Sequence, residues 1–292
     1  MKAAFIYFSG TNNTTFLTNL LIKRLKENFV NFEYESLRVT IQSKTINLDN
    51  FDYIFLGYPI YGFNTPSFFL KYIKKLKINK NQKIIIYKQS GECMKINNAS
   101  SRKILRRFKR NEIGEYHFLL PYNIHFKFDD NFISQLLYYD KLLLDILIED
   151  IKNNNLKPIK STLINNFLAF FVSIQSIGGP INSFFYKVDN KKCVKCKKCI
   201  EVCPNQNITL NKNNRITFHH HCLMCMACSF YCPKDSIKIG LLNNWRVNGE
   251  YNFKTNSPSF INTNYIKGKE KGFYKCYYPY FKQIEERHKK IK

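Results

Sequence analysis

Eight of the ten cysteines fall into two copies of one spacing, which restricts the chain more than any other feature. Cys193, Cys196, Cys199 and Cys203 precede Pro204, and Cys222, Cys225, Cys228 and Cys232 precede Pro233. Each copy reads C-x2-C-x2-C-x3-C-P, a run already known to ligate tetranuclear iron–sulfur clusters. A [4Fe–4S] cube needs a thiolate on each iron, and three cysteines at intervals of three wrap one side of it in a tight turn. The fourth lies too far round and crosses to the other cluster. The spacing therefore assigns Cys193, Cys196, Cys199 and Cys232 to one cluster, and Cys222, Cys225, Cys228 and Cys203 to a second. Pro204 and Pro233 lack a backbone N–H and favour an abrupt exit after the crossing residue.

Other uses of these thiols fit poorly. Zinc sites use C-x2-C pairs or mixtures with histidine, not four cysteines in a run of eleven residues. A disulfide framework needs an oxidising compartment, and no secretory leader is visible, so the expected location is the cytoplasm. Cys93 and Cys276 belong to no pattern and read as ordinary thiols. His219, His220 and His221 stand before Cys222, but thiolates already fill all eight ligand places, so an exposed loop is expected.

A chain of 292 residues is long for one small cluster module and implies two domains. Hydrophobic residues make up 45%, enough for a substantial core. Lys and Arg outnumber Asp and Glu by 46 to 21, a formal net charge of +25. Such a balance suits an acidic partner, a membrane surface or nucleic acid. Here the lysines are scattered rather than striped and no nucleic-acid-reading motif accompanies them, so no nucleic acid is expected. The best candidate span, residues 167–177, is far shorter than the roughly 20 residues a bilayer requires, and reads as a buried or docking helix.

The N-terminal half alternates between two periods. Residues 3–8 form an apolar run suited to a buried parallel strand. Ser9-Gly10-Thr11-Asn12-Asn13-Thr14-Thr15 follows, and then Phe16, Leu17, Leu20, Leu21 and Leu25 recur at helical spacing. Hydroxyls, loop amides and a helix N-terminus suit a phosphate; the same residue types also cap helices. Neither a P-loop nor the three-glycine dinucleotide pattern is present. Further strands are expected at residues 32–37, 53–57, 83–89 and 117–120, with helices at 66–77, 102–110 and 130–152. Five strands interleaved with helices give a doubly wound parallel α/β sheet, with ligands at the strand C-terminal ends. Three loops meet there: the first around Thr11, the second Tyr58-Pro59-Ile60-Tyr61-Gly62, the third Ser90-Gly91.

This layout resembles flavodoxin. That family's phosphate loop reads [ST]-x-T-G-x-T, which residues 9–14 follow except at Asn12, a residue type that tolerates left-handed backbone angles. The resemblance implies FMN, with its phosphate on the first loop and Tyr61 or Tyr58 stacked on the flavin ring. The cysteine runs resemble bacterial two-cluster ferredoxins, and residues 1–240 together resemble the flavodoxin–ferredoxin fusion proteins of anaerobic bacteria. The expected parts are a flavodoxin-like domain at 1–155, a linker with a docking helix at 156–187, an α+β ferredoxin domain at 188–242 and a tail at 243–292. Short strands at 208–210 and 237–239 follow the two runs. The tail, with Trp245, Pro258 and a charged helix at 283–292, reads as a packing arm.

The two runs differ between their ligands. The first carries Lys195, Lys197 and Lys198, with Lys191 and Lys192 before it; the second carries Leu223, Met224, Met226 and Ala227. A solvated, basic first cluster and an enclosed second one follow. The implied function is electron transfer between redox proteins, possible acidic partners included; a flavin-dependent reductase and a relay subunit of a larger complex are the alternatives.

Overall fold

The computed structural model describes residues 1–173, 175–251, 253, 264–269 and 271–291, with the backbone alone at 175–177. Strand β1 (Lys2–Tyr7) is buried throughout after Lys2, because both of its faces are covered. The chain turns at Asn12, whose φ is 69°, into α1 (Asn13–Asn28), which turns Leu17, Leu21 and Leu25 inward. Strand β2 (Glu33–Arg38) is polar and exposed, as befits an edge. There follow β3 (Tyr53–Pro59), α2 (Ser67–Ile73), β4 (Lys83–Ser90), a 3₁₀ turn at Lys95–Ser101, α3 (Arg102–Arg107), β5 (Ile113–Leu119) and α4 (Asp130–Lys152). Asp129 caps α4 by accepting from the Asn131 amide. All neighbouring strands are parallel, in the order β2-β1-β3-β4-β5. This is the flavodoxin-like order, with its topological switch point between β1 and β3.

A buried ion pair ties β4 to β5. Lys88 Nζ lies 2.6 Å from Glu115 Oε1, with both side chains fully buried. Lys88 also donates to the Asn97 carbonyl, and Glu115 accepts from Ser101 Oγ and, at 3.0 Å, from the Ile159 amide. The pair thus fastens the 3₁₀ turn and the segment leaving α4 to the sheet. Glu115 also explains why β5 begins four residues before its expected start: Gly114 and Glu115 break the apolar pattern that marks a strand.

The second half begins with α5 (Leu163–Val172) and α6 (Gln175–Ser183). Of the two readings for 167–177, a buried or a docking helix, α5 matches the second: it lies on the surface. Phe167, Phe170 and Phe171 are each more than half exposed, and Ala169 alone is buried in this helix. Asn64 Nδ2 donates to the Ala169 carbonyl, so α5 docks through a narrow strip. Ile174 lies outside the described residues, as do Pro258 and Lys292 of the tail. Strand β6 (Tyr186–Val188), α7 (Lys198–Glu201), β7 (Ile208–Leu210), β8 (Ile216–Phe218), α8 (Ala227–Phe230) and β9 (Ile237–Ile239) complete the ferredoxin-like α+β part. Its strands pair antiparallel as β6–β9 and β7–β8, so each short strand expected after a cysteine run has a partner that its own sequence did not announce.

The tail ends in α9 (Tyr277–Lys289), longer at its start than expected and packed on α4. Phe281 stacks on Tyr139 at a 3.8 Å centroid separation, and Arg287 pairs with Asp150 at 2.9 Å.

Breaking the buried pair from one side leaves the other charge stranded. Glu115→Gln is expected to cost about 3–5 kcal/mol, and the double change Lys88→Met with Glu115→Leu to recover part of that loss. Urea unfolding followed by circular dichroism measures both; a single-change cost below about 1 kcal/mol contradicts a structural role for the pair.

Candidate functional site

The two cysteine runs adopt nearly the same backbone. Lys195 and Lys197 flank Cys196 with φ of 55° and 61°; Met224 and Met226 flank Cys225 with 51° and 61°. Two left-handed residues around the middle cysteine coil the run so that its first three thiols face one way. Helices α7 and α8 then carry the chain to the fourth cysteine, and Gln206 and Asp235, both left-handed, turn it out three residues later.

Two cavities result. One is lined by Cys193, Cys196, Cys199 and Cys232, the other by Cys203, Cys222, Cys225 and Cys228. In each, three thiols come from one run and the fourth from the other. Among the described residues no three Cys, His, Asp or Glu side chains converge as they do round a single ion; the thiols of each set surround a space. Four thiols, three from one run and one from the other, supply one ligand for each iron of a cube, so the residues present suit [4Fe–4S] clusters.

Backbone amides point at these sulfurs. Asn207 N donates to Cys203 Sγ and Ser236 N to Cys232 Sγ, both at 3.2 Å, and Met224 N to Cys222 Sγ at 3.4 Å. Burial pushes the Cys232 thiol up, but the Ser236 hydroxyl and amide, with the Lys234 and Ile237 amides, outweigh it and hold it below the usual thiol range. Burial pushes Cys199 up to about 11 and Cys225 up to about 12.

The surroundings of the sets differ. Val194, Lys195, Cys196, Lys197 and Lys198 are exposed, whereas Cys225, Met226 and Ala227 are buried. His219, His220 and His221 are exposed; His219 Nε2 bonds Thr209 Oγ1 and His220 stacks on Phe184.

The second run is seated on the sheet's switch point. A Cβ added to Gly10 would lie 2.8 Å from the Cys225 carbonyl oxygen, 2.9 Å from Cys225 Cβ and 2.9 Å from the Tyr61 hydroxyl. Asn123 Nδ2 donates to that Cys225 carbonyl at 3.2 Å. Beside it, the Ile41 amide donates to the Pro204 carbonyl at 3.0 Å. Cys225 and Ala227 are continuous with the apolar core beneath β1 and β3.

The predicted flavin loops can be tested against FMN on this geometry. The first loop has the chemistry of a phosphate cradle. Among the described residues, the amides of Gly10, Thr11, Asn12, Asn13 and Thr14 donate to no protein acceptor, and Ser9 Oγ accepts from the Thr15 amide at 3.4 Å. Ser9, Thr11, Asn13 and Thr14 are nonetheless buried; only Asn12 is exposed, at the edge of a groove of about 1270 Å³ that also touches Arg38, Cys203 and Cys232.

Tyr61 closes onto Gly10, and burial raises its hydroxyl well above the usual range. Tyr58 points into the core against Phe69 and is fully buried, so it presents no face to a ligand. Pro59 ends β3 in the core and Gly62 is exposed at the turn. A Cβ on Gly91 would lie 2.3 Å from the Tyr122 ring, and Ser90 is engaged by His117 Nε2 at 2.7 Å. Burial pushes His117 down to about 3, so it is neutral and serves Ser90 as a hydrogen-bond partner. The first loop has the donor groups a phosphate needs, while Tyr61 and Tyr122 pack closely over Gly10 and Gly91.

Asn123, Tyr122 and Arg38 escaped sequence reasoning. Arg38 donates to the Ser9 carbonyl at 2.7 Å from the end of an edge strand, and Tyr122 and Asn123 lie in a loop with no recognisable motif. The only available signal was position directly after a strand C-terminus.

Residues 185–243 match a family described as a 4Fe-4S dicluster domain. No curated protein matches the chain. Similar solved structures include oxidised Flavodoxin 1 from Bacillus cereus, 16% identical with a TM-score of 0.33, covering 50% of this chain and 98% of that one. Another is a protein described as an NADPH-quinone reductase from P. pentosaceus, 15% identical with a TM-score of 0.31, covering 52% and 97%. The fold assignment stands on strand order and direction, not on these distant likenesses. The chain therefore joins a flavodoxin-like sheet to a 4Fe-4S dicluster domain.

Gly10→Ala is expected to part the first loop from Cys225 and to raise hydrogen exchange at amides 225–228 by about tenfold or more. Gly178→Ala, whose added Cβ meets nothing within 4 Å, serves as the control. Equal exchange in both variants removes the contact's importance.

Proposed function

We propose that this chain is an electron-transfer protein holding two [4Fe–4S] clusters, one on Cys193, Cys196, Cys199 and Cys232 and the other on Cys203, Cys222, Cys225 and Cys228. The observation that carries this reading is the pair of cavities, each lined by three cysteines of one run and the last of the other. When bound, such clusters accept and release single electrons. Crossing cysteines make the two sites one unit, and the amides aimed at Cys203, Cys222 and Cys232 stabilise the more negative state. Exposed Lys195, Lys197 and Lys198 give the first site a positive rim suited to steering an acidic redox partner. A reducing, cytoplasmic setting accords with eight cysteines kept as ligands. The architecture accords with flavodoxin–ferredoxin fusions of anaerobic bacteria.

A second reading adds FMN to the same chain. The five amides of the first loop without protein acceptors favour it; the packing of Tyr61, Cys225 and Tyr122 opposes it.

Anaerobically purified protein is expected to contain about eight irons and eight sulfides per chain. Zinc in their place, or no paramagnetic signal after dithionite reduction, ends the proposal. Flavin analysis of the same sample decides the second reading: about one FMN per chain establishes it, and none leaves the flavodoxin-like domain as a platform for the clusters. Separately, reversing Lys195, Lys197 and Lys198 to Glu is expected to slow reduction by an acidic donor protein by about tenfold at low salt and much less at high salt. An unchanged rate at low salt removes the steering role.

A further inference from the structure

We propose that Cys93 and Cys276 form a redox-active dithiol that closes to a disulfide and locks the C-terminal helix to the sheet's third loop. These are the two cysteines outside the repeated runs, and they lie 183 residues apart in sequence. The fold brings them together, with Cys93 Sγ donating to Cys276 Sγ at 2.7 Å. Cys93 follows Ser90-Gly91-Glu92 at the end of β4; Cys276 is the N-cap of α9.

The neighbouring contacts hold the two sulfurs facing each other. Tyr277, the first residue of α9, donates its hydroxyl to the Gly91 carbonyl, and Tyr280 donates to the His117 carbonyl. On the loop's side, Tyr122 donates to Glu92 at 2.8 Å. Each sulfur-bearing segment is therefore anchored one or two residues from its cysteine. Both thiols are half-buried, which admits a small reagent and disfavours a bulky one.

The two thiols are unequal, as exchange chemistry requires. The Cys93 S–H, with the Cys93 and Cys276 amides, favours a thiolate at Cys276, which is drawn down to about 7 against its burial; burial pushes Cys93 in the opposite direction. Cys276 is thus the attacking sulfur and Cys93 the resolving one. The oxidant class is a low-molecular-weight disulfide, RSSR. The Cys276 thiolate attacks one sulfur of RSSR, giving a mixed disulfide and releasing RS⁻. Cys93 then attacks the Cys276 sulfur, the Cys93–Cys276 bond forms, and the second thiol leaves with the Cys93 proton as RSH. Two protein thiols are oxidised and one disulfide is reduced to two thiols. An excess of dithiol reverses both steps.

The test uses the full chain with its clusters reconstituted anaerobically. It is treated with oxidised glutathione, alkylated, digested without reduction and examined by mass spectrometry. A peptide pair joining Cys93 to Cys276, absent after dithiothreitol and formed without loss of iron, is the expected result. Cys93→Ser is expected to trap glutathione on Cys276, and Cys276→Ser to slow adduct formation at Cys93 by at least about tenfold. In the oxidised wild type, exchange of amides in 277–289 is expected to fall by about tenfold or more relative to the reduced form. Failure to join the two cysteines while iron is retained overturns the proposal, and unchanged exchange in the joined form overturns its locking role.

Discussion

Everything distinctive about this molecule depends on the contact between Gly10 and Cys225. The first loop of a flavodoxin-like sheet lies at the switch point, where a crevice ordinarily opens between diverging connections. Here the crevice receives backbone from another part of the chain. Gly10 has no side chain, so the Cys225 carbonyl approaches closely enough to be held by Asn123 and covered by Tyr61. Any larger residue at position 10 would hold the cysteine loop off. Seating one thiol-bearing turn at the centre of the sheet also decides what its neighbours meet: Ala227 joins the apolar core, and Pro204 reaches the Ile41 amide.

That contact is held in place from both sides. Behind the third loop, Lys88 and Glu115 lock β4 to β5 and to the 3₁₀ turn at Lys95–Ser101, so the loop rises from a stiff base. In front, the chain leaving β9 returns across the crevice. His125 donates its amide to the Trp245 carbonyl at 2.7 Å, and Tyr251 donates to the Tyr122 carbonyl at 2.6 Å. The same Tyr122 covers Gly91. One aromatic residue therefore links the third loop, the segment after β5 and the tail.

Much of this was legible in the sequence, for identifiable reasons. The cysteine spacing groups the thiols in the same two sets of four that line the two cavities. Buried strands showed as apolar runs, and α4 spans the residues expected of it, 130–152. Asn12 took the left-handed turn that its small polar side chain permits. What escaped was whatever depends on distant partners. Glu115 looked like a loop residue because its stabilising partner, Lys88, lies on another strand. Tyr58 and Tyr61 looked equivalent, yet Tyr58 is still inside β3 and faces the core, whereas Tyr61 lies beyond its end. The run at 167–177 left burial and docking open because its composition is apolar, and composition carries no information about which neighbours are present to cover it. Cys93 and Cys276 looked unrelated for the same reason.

The two cysteine runs show how little local backbone decides about environment. Their left-handed positions, short helices and exit turns correspond one for one, so the runs alone would build interchangeable sites. The difference comes from the seven spacer residues in each. Lys195, Lys197 and Lys198 resist burial, because a lysine leaving water without a partner loses more than packing returns. Met224, Met226 and Ala227 gain by leaving water. A duplicated unit with these spacers has one favourable way to meet an apolar switch point: second run inward, first run outward. The inward set then takes its surroundings from the sheet, and the outward set takes its surroundings from solvent and from whatever partner the lysines attract. Polarity of arrangement follows from spacer chemistry rather than from the ligands themselves.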